Sequence, residues 1–315
     1  MTFWLLTLAV TFGVFAAIAA IASLGVSLAA PSIARRFEGY SPATYAAGLF
    51  HLRMLPAALA LVVAFTIVLP IVFTYEPRAT EEQVPMLLSV LALTGAALLL
   101  RGAWRAATAW YATRGVVREW RRRGRRLDTF VSPLPVYAIE ESFPTVAVVG
   151  VANPALFIAE RVLRECPEDE VRAMLHHECA HVAKRDNLKR FLLRACPDFL
   201  GSDLDRAWAR AAEEAADAAV VAAAPGYAIE LAQALIHVAR LAPSPQAPAL
   251  ASAFYLGGSI ESRVRRLIQP ERAPDARLHT GRAIILASTI ACVGFAIASG
   301  PTIHRLVETL VHALR

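Results

Sequence analysis

Charged residues are scarce in this chain. Only 18% of its 315 residues are charged and 57% are hydrophobic, whereas an ordinary soluble domain is about 25% charged. This composition excludes a disordered, fibrous or purely soluble protein, because the apolar excess must be concentrated in long blocks. The formal net charge of +6 would suit nucleic-acid binding. Basic cytoplasmic loops of a membrane protein give the same excess, so the positions of the arginines must decide.

Cysteine is also rare, and it is not clustered. The chain has four cysteines, none of which forms a CxxC pair: Cys166, Cys179, Cys196 and Cys292. A disulfide framework is typical of short, secreted, cysteine-dense chains. We therefore expect these cysteines to be reduced and to serve mostly in packing.

No charged side chain precedes Arg35. Within that stretch, residues 3–29 are long enough to cross about 30 Å of hydrocarbon. A cleaved signal peptide is the alternative, but its basic n-region is missing and the apolar run is longer than the usual ~7–15 residues. Further uncharged blocks at 54–73, 84–100 and 283–303 predict three more transmembrane helices. Four such blocks disfavour buried core helices.

The loops between these predicted spans differ in charge. Residues 76–82 are net acidic, whereas nine arginines lie between Arg101 and Arg126. Because basic loops stay in the cytoplasm, we predict a multi-pass protein of the cell inner membrane. Its domains are three transmembrane helices in residues 1–100, a cytoplasmic domain in 101–282, the fourth span in 283–303 and a short extracytoplasmic tail in 304–315. Both termini are then extracytoplasmic.

A probe at Glu81 tests this orientation. We expect a cysteine introduced there to react with a membrane-impermeant reagent added outside the cell, because the acidic loop is predicted to lie outside. Labelling from the cytoplasmic side alone would contradict the topology.

The arginines of residues 121–126 follow the third predicted span. At a membrane exit, such a run typically contacts the anionic headgroups of the lipid bilayer. No base-reading motif accompanies it, so we expect no nucleic-acid partner.

The predicted cytoplasmic domain begins with β-rich runs and continues with helices. Residues 136–141, 145–151 and 155–162 are separated by Pro, Gly or Asn and predict a small sheet. A helix is predicted from Pro167 to about Lys184, with an acidic first turn that the helix dipole favours. Further helices are predicted at the following ranges: 187–199, 203–223, 226–242 and 259–268. The fold class is therefore an α-helical membrane protein with an α+β cytoplasmic domain.

An H-E-x-x-H motif, His177-Glu178-x-x-His181, lies on the helix predicted from Pro167. The four-residue spacing brings two imidazoles to one helix face, within reach of one Zn²⁺. Glu178 can then take a proton from an attacking water without being a ligand. The alternative is a polar helix face that carries two histidines by accident, which would be costly to bury unpaired. We predict a catalytic zinc site of the kind that hydrolyses peptides.

A catalytic zinc needs a third protein ligand and an open position. Glu213 and Asp217 are four residues apart on an alanine-rich predicted helix, which could pack closely on the motif helix. Glu213 is the best candidate ligand, and Asp217 could accept a hydrogen bond from a ligand imidazole. An acidic surface stripe is the alternative. Three residues remain unranked as electrophilic helpers: Tyr227, His237 and Arg263.

These motifs together resemble the glutamate-zincin membrane metallopeptidases. The predicted span arrangement and the segments 177–198 and 259–270 are similar to BlaR/MecR-type antirepressor peptidases, with HtpX-like and CAAX-prenyl-protease peptidases as relatives. The resemblance is best over residues 135–270. The resemblance implies one Zn²⁺ per chain, bound by His177, His181 and Glu213. It also implies that Glu178 is the general base.

The chain departs from BlaR and MecR after the fourth predicted span. Those proteins carry a large penicillin-binding sensor there, whereas here residues 304–315 follow and no S-x-x-K set is present. We therefore do not expect β-lactam sensing by this chain alone.

The predicted function is zinc-dependent hydrolysis of a protein substrate, either a membrane protein or a cytosolic repressor-like protein, at the cytoplasmic membrane face. Regulated signalling proteolysis is one context. HtpX-like quality control of membrane proteins is the first alternative, and a non-catalytic membrane scaffold is the second, which the intact Glu178 disfavours. We also expect the strand near 145–151 to leave a free edge that pairs with an extended substrate, the alternative being an interior strand.

Overall fold

Three long helices open the fold. The structure, a computed structural model, describes residues 3–37, 40–75, 84–130, 132–141, 143–241 and 260–269. Its first helices are α1 (Phe3–Phe37), a second helical stretch from Pro42 to Tyr75, and α4 (Met86–Arg123). By length and composition each could cross a membrane, which confirms three of the predicted spans as helices of sufficient length. The fourth predicted span and the tail lie outside the described residues.

The second long helix begins earlier than its apolar block. It comprises α2 (Pro42–Val62), a π-helical segment (Val63–Val68) and α3 (Leu69–Tyr75). The Ser41 side chain accepts a hydrogen bond from the backbone N–H of Thr44 at 3.3 Å and so caps α2. Pro56 therefore lies inside the helix.

Pro70 does not end this helix. The residue before it, Leu69, bonds through its N–H to the carbonyl of Ala64, five residues back. A proline ring clashes with the carbonyl four residues before it, and a widened π-helical turn is one way to accommodate such a residue. The chain then continues as helix to Tyr75.

Helices α1 and α4 are in close contact at Gly95. A Cβ atom placed there would overlap the carbonyl oxygen of Phe12 in α1. Small residues allow this kind of close backbone contact between membrane helices. Gly95 therefore has a packing role that its position in an apolar run does not reveal.

We expect Gly95→Ala to destabilise the protein by about 1–3 kcal/mol, the usual cost of overpacking. Gly115→Ala is the matched control in the same helix, because nothing lies within 4 Å of a Cβ there. The control should be neutral or stabilising by up to about 1 kcal/mol. Denaturant titration in detergent micelles measures both changes, and equal stabilities of the two variants would contradict the packing role.

A four-stranded mixed sheet follows α4. Its strands are β1 (Arg125–Leu127), β2 (Val136–Ile139), β3 (Val146–Val149) and β4 (Ala155–Ala159), in the order β1-β2-β4-β3. The central pair β2–β4 is parallel and the outer pairs are antiparallel. The small predicted sheet is thus confirmed, with β1 as an additional strand, and β3 lies at an edge of the sheet.

The arginines of residues 121–126 lie at the end of α4 and in β1. Arg121 follows Arg101 by 20 residues of continuous helix, which is about 30 Å of rise. These arginines also bond within the chain: Arg121 to the carbonyl of Asn153, Arg122 and Arg123 to Glu119, Arg125 to Glu160 and Arg126 to Asp128. Headgroup contact at this run stays a prediction.

Six more helices complete the described fold. They are α5 (Glu160–Glu165), α6 (Glu168–Ala183), α7 (Asp186–Ala195), α8 (Asp203–Ala223), α9 (Tyr227–Leu241) and α10 (Ile260–Ile268). The last five follow the predicted ranges, except that α7 ends before Pro197, a residue that disfavours helix at the position before it. The prediction that the β-rich run extends to residue 162 was wrong, because β4 ends at Ala159 and α5 begins at Glu160. The main core lies between the sheet and α6 and α9, and it includes Leu156, Ile158, Met174, Leu231 and Leu235.

Helix α8 also packs on the second long helix. Ala46 and Leu49 of α2 lie in one buried cluster with Trp208, Ala211 and Ala215 of α8. The alanines allow α8 to contact α2 on one side and α6 on the other. One helix therefore links the apolar helices to α6, which carries the H-E-x-x-H motif.

Candidate metal centre

Helices α6 and α8 bring three predicted ligands together. His177 and His181 lie one turn apart on α6, and Glu213 faces them from α8. All three side chains are buried. The helices approach closely because the neighbouring positions on α8 are small, buried residues: Ala212, Ala215 and Ala216.

Donor atoms of the three side chains converge. The Nε2 atoms of His177 and His181 lie 3.2 Å apart, and carboxylate oxygens of Glu213 lie 3.2 Å and 3.5 Å from them. Two facing imidazole nitrogens and a carboxylate, all nine-tenths buried or more, match the nitrogen and oxygen donors that zinc takes from proteins. The three residues fit a divalent cation.

Each histidine also has a carboxylate behind it. His177 Nδ1 lies 2.9 Å from Asp217 Oδ1, and His181 Nδ1 lies 2.8 Å from Asp186 Oδ2. Such partners hold a ring's tautomer and orientation, so that the other nitrogen points to the metal. The sequence suggested Asp217 as such a partner. Asp186 was missed, because it follows Arg185, whose left-handed backbone (φ 55°) ends α6 and returns the chain to the site.

The charges of the cluster favour a cation. Burial alone would lower the pKa of His181, but Glu213 and Asp186 outweigh it and raise that pKa to about 9. Burial alone would raise the pKa of Glu213, but His181 and His177 hold it well below its usual value. The carboxylates thus favour positive charge where the imidazoles meet, as a bound metal would supply.

Arg263 forms ion pairs with the two carboxylates that α8 contributes, Asp217 and Glu213. Its guanidinium donates to both oxygens of Asp217 at 2.8 Å and 2.7 Å, and its Nη1 lies 3.4 Å from Glu213. Burial alone would raise the pKa of Asp217, but Arg263 and His177 lower it to about 2. Arg190 of α7 donates to the second oxygen of Glu213 at 3.0 Å. Arg263 is therefore a positioning residue in this arrangement, a role that the sequence left open.

The other two residues considered as electrophilic helpers lie elsewhere. Tyr227 packs against the ring of His176, with centroids 4.9 Å apart. His237 bonds through Nδ1 to Glu170 at 2.6 Å. The structure places neither of them in the group formed by His177 and its partners.

Glu178 lies between the cluster and the edge of the sheet. Its carboxylate accepts a hydrogen bond from the backbone N–H of Val148 at 2.9 Å. The side-chain amide of Asn187 donates to the carbonyls of Val148 and Gly150, at 3.0 Å and 3.1 Å. An outward backbone N–H of β3 thus holds the predicted base, and no sequence pattern indicated the contacts of Asn187.

Residues 136–271 match the family model described as Peptidase family M48. A comparison with curated proteins gives no match. The matched segment contains every side chain of the cluster and lies outside the three long helices. Together, a domain similar to a family of metal-dependent peptidases and helices long enough to span a bilayer support a membrane metallopeptidase.

Proposed function

We propose that this chain is a zinc-dependent endopeptidase, anchored in the inner membrane, that hydrolyses peptide bonds of a protein substrate at the cytoplasmic face. The observation that carries the proposal is the convergence of His177, His181 and Glu213 beside Glu178. His177, His181 and Glu213 are the ligands of one zinc ion and Glu178 is the general base. Both termini are extracytoplasmic, as the charges of the loops indicate.

A zinc ion held by His177, His181 and Glu213 would supply Lewis-acid chemistry toward the scissile carbonyl and the attacking water. Glu178 accepts the proton of that water and passes it to the leaving amine. Asp217 and Asp186 hold the two imidazoles in one tautomer. Arg263 keeps Asp217 ionised and correctly oriented.

The substrate binds as an extended segment along β3. In the antiparallel pairing of β3 with β4, alternate residues of β3 point their backbone N–H and C=O groups away from β4. Val148 is one of these residues, because its N–H bonds to Glu178. The side-chain amide of Asn187 already donates hydrogen bonds to the carbonyls of Val148 and Gly150. The outward backbone groups that remain for pairing with substrate are those nearer Val146. A substrate strand bound there lies beside Glu178.

Regulated signalling proteolysis, as in the BlaR/MecR-type peptidases, is the context that the packing favours. Helix α8 carries Glu213, and its preceding turns contact α2 through Trp208. A change in the membrane helices can therefore reach a metal ligand through one rigid element. Quality control of membrane proteins, as in the HtpX-like peptidases, is the alternative and would not need such a connection.

The proposal is tested with the full chain in liposomes and in cells. Cleavage of membrane and cytosolic proteins is compared between cells that hold the wild type and cells that hold Glu178→Gln, and cut proteins are then assayed with the purified chain. We expect cleavage to stop when a chelator removes the metal and to return with added zinc. Cleavage that persists without metal, or that is equal in both cell lines, would overturn the proposal.

A further inference from the structure

A second group of metal-binding side chains lies near the N-terminus of α6. It consists of Cys166, Glu170 and His237, and their donor atoms all lie within 4.8 Å of one another. The three residues come from different parts of the fold: Cys166 from the junction of α5 and α6, Glu170 from the first turn of α6 and His237 from α9. None of them belongs to the centre described above.

The donors have the chemistry of a zinc site. A thiol, a carboxylate and an imidazole together suit zinc, whereas calcium and magnesium prefer oxygen ligands alone. Cys166 and Glu170 are buried. One thiolate and one carboxylate also neutralise a divalent ion, so the loaded site has no uncompensated charge in the core.

The third donor leaves the site accessible. His237 Nδ1 lies 2.6 Å from Glu170 Oε2, and 41% of the His237 side chain is exposed. A metal ion can enter from that side, and water can supply a fourth ligand. A hydrogen bond between His237 and Glu170 beside a cysteine that merely packs is the alternative explanation.

We propose that Cys166, Glu170 and His237 form a second, non-catalytic zinc site. It clamps α9 and the α5–α6 junction to the helix that carries the H-E-x-x-H motif. Glu170 precedes His177 by seven residues, which is about 10 Å along the helix, so the two sites are separate. The N-terminus of α6 has no side-chain cap, and the clamp fixes this end of the helix.

Cobalt substitution of the purified full chain in detergent micelles separates the two sites. Thiolate bound to Co²⁺ gives a charge-transfer band in the near ultraviolet, which a centre made of imidazole and carboxylate does not give. We expect the band in the wild type, its loss in Cys166→Ser and in His237→Gln, and its persistence in two control variants, Cys179→Ser and Cys196→Ser. His237 is partly exposed, so its variant should fold even if Cys166→Ser does not.

Zinc content distinguishes failure of this site from failure of the proposed function. We expect two zinc ions per chain in the wild type and one in Cys166→Ser, with one also remaining in the double variant His177→Ala/His181→Ala. A wild type that holds a single zinc, lost in the double variant and kept in Cys166→Ser, would overturn the second site and leave the peptidase proposal standing. Absence of the cobalt band, or its loss only in Cys179→Ser, would likewise overturn the second site.

Discussion

Replacing Glu178 by glutamine is expected to reduce peptide hydrolysis by about 10²–10⁴-fold, the usual contribution of a general base, without changing the zinc content. Glutamine has nearly the same shape, and its amide oxygen can still accept the hydrogen bond that Val148 donates to Glu178. It cannot take a proton from water. The variant therefore separates proton transfer from metal binding and from the position of β3.

Glu168→Gln is the matched control for this variant. Glu168 lies on the same helix, and 68% of its side chain is exposed beside Arg172, so its substitution should leave hydrolysis and zinc content unchanged. Hydrolysis is measured on a protein cut by the wild type, and zinc by elemental analysis of the same preparations. Loss of zinc from Glu178→Gln would show that Glu178 is a ligand, and full activity would show that another group is the base.

The difference between what the sequence predicted in this site and what it missed has a physical cause. The pairs His177 with His181 and Glu213 with Asp217 are each four residues apart, so helical periodicity alone places each pair on one face. Asp186 depends instead on a left-handed residue that no pattern announces.

Arg263 was uncertain for a different reason. Its contact with Asp217 joins residues 46 positions apart in the chain. Whether an arginine faces a substrate or a buried carboxylate is decided by how α10 packs on α8, which periodicity does not determine.

Strand β1 shows the same limit at the level of the fold. The predicted strands are rich in apolar residues, and β2 and β4 are largely buried. Two of the three residues of β1 are exposed arginines, so its sequence lacks the β-branched and aromatic residues that mark strands. The pairing of β1 with β2 is a tertiary effect.

Arg53 forms buried ion pairs, and we expect their loss to cause the second large effect, on the free energy of unfolding. It lies inside the second long helix, 2% exposed, and pairs with the buried carboxylate of Asp198 and, at 2.7 Å, with Asp205. Asp198 also accepts a hydrogen bond from the N–H of Leu200 through its other oxygen. Its backbone carbonyl accepts one from Arg101 of α4. This network joins two apolar helices to the segment between α7 and α8.

Arg53→Met is expected to destabilise the protein by about 3–5 kcal/mol, because it leaves the buried carboxylate of Asp198 without its main partner. Adding Asp198→Asn should restore part of this loss, since the double variant buries no unpaired charge there.

Arg122→Met is the matched control. Its pair with Glu119 is exposed, with 69% of the Arg122 side chain accessible, and such pairs contribute at most about 1 kcal/mol. Denaturant titration in one detergent measures all three free energies of unfolding. If Arg53→Met costs no more than the control, the ion pair does not hold α2 to the domain, and the contact between α2 and α8 must rest on the apolar cluster around Trp208 alone.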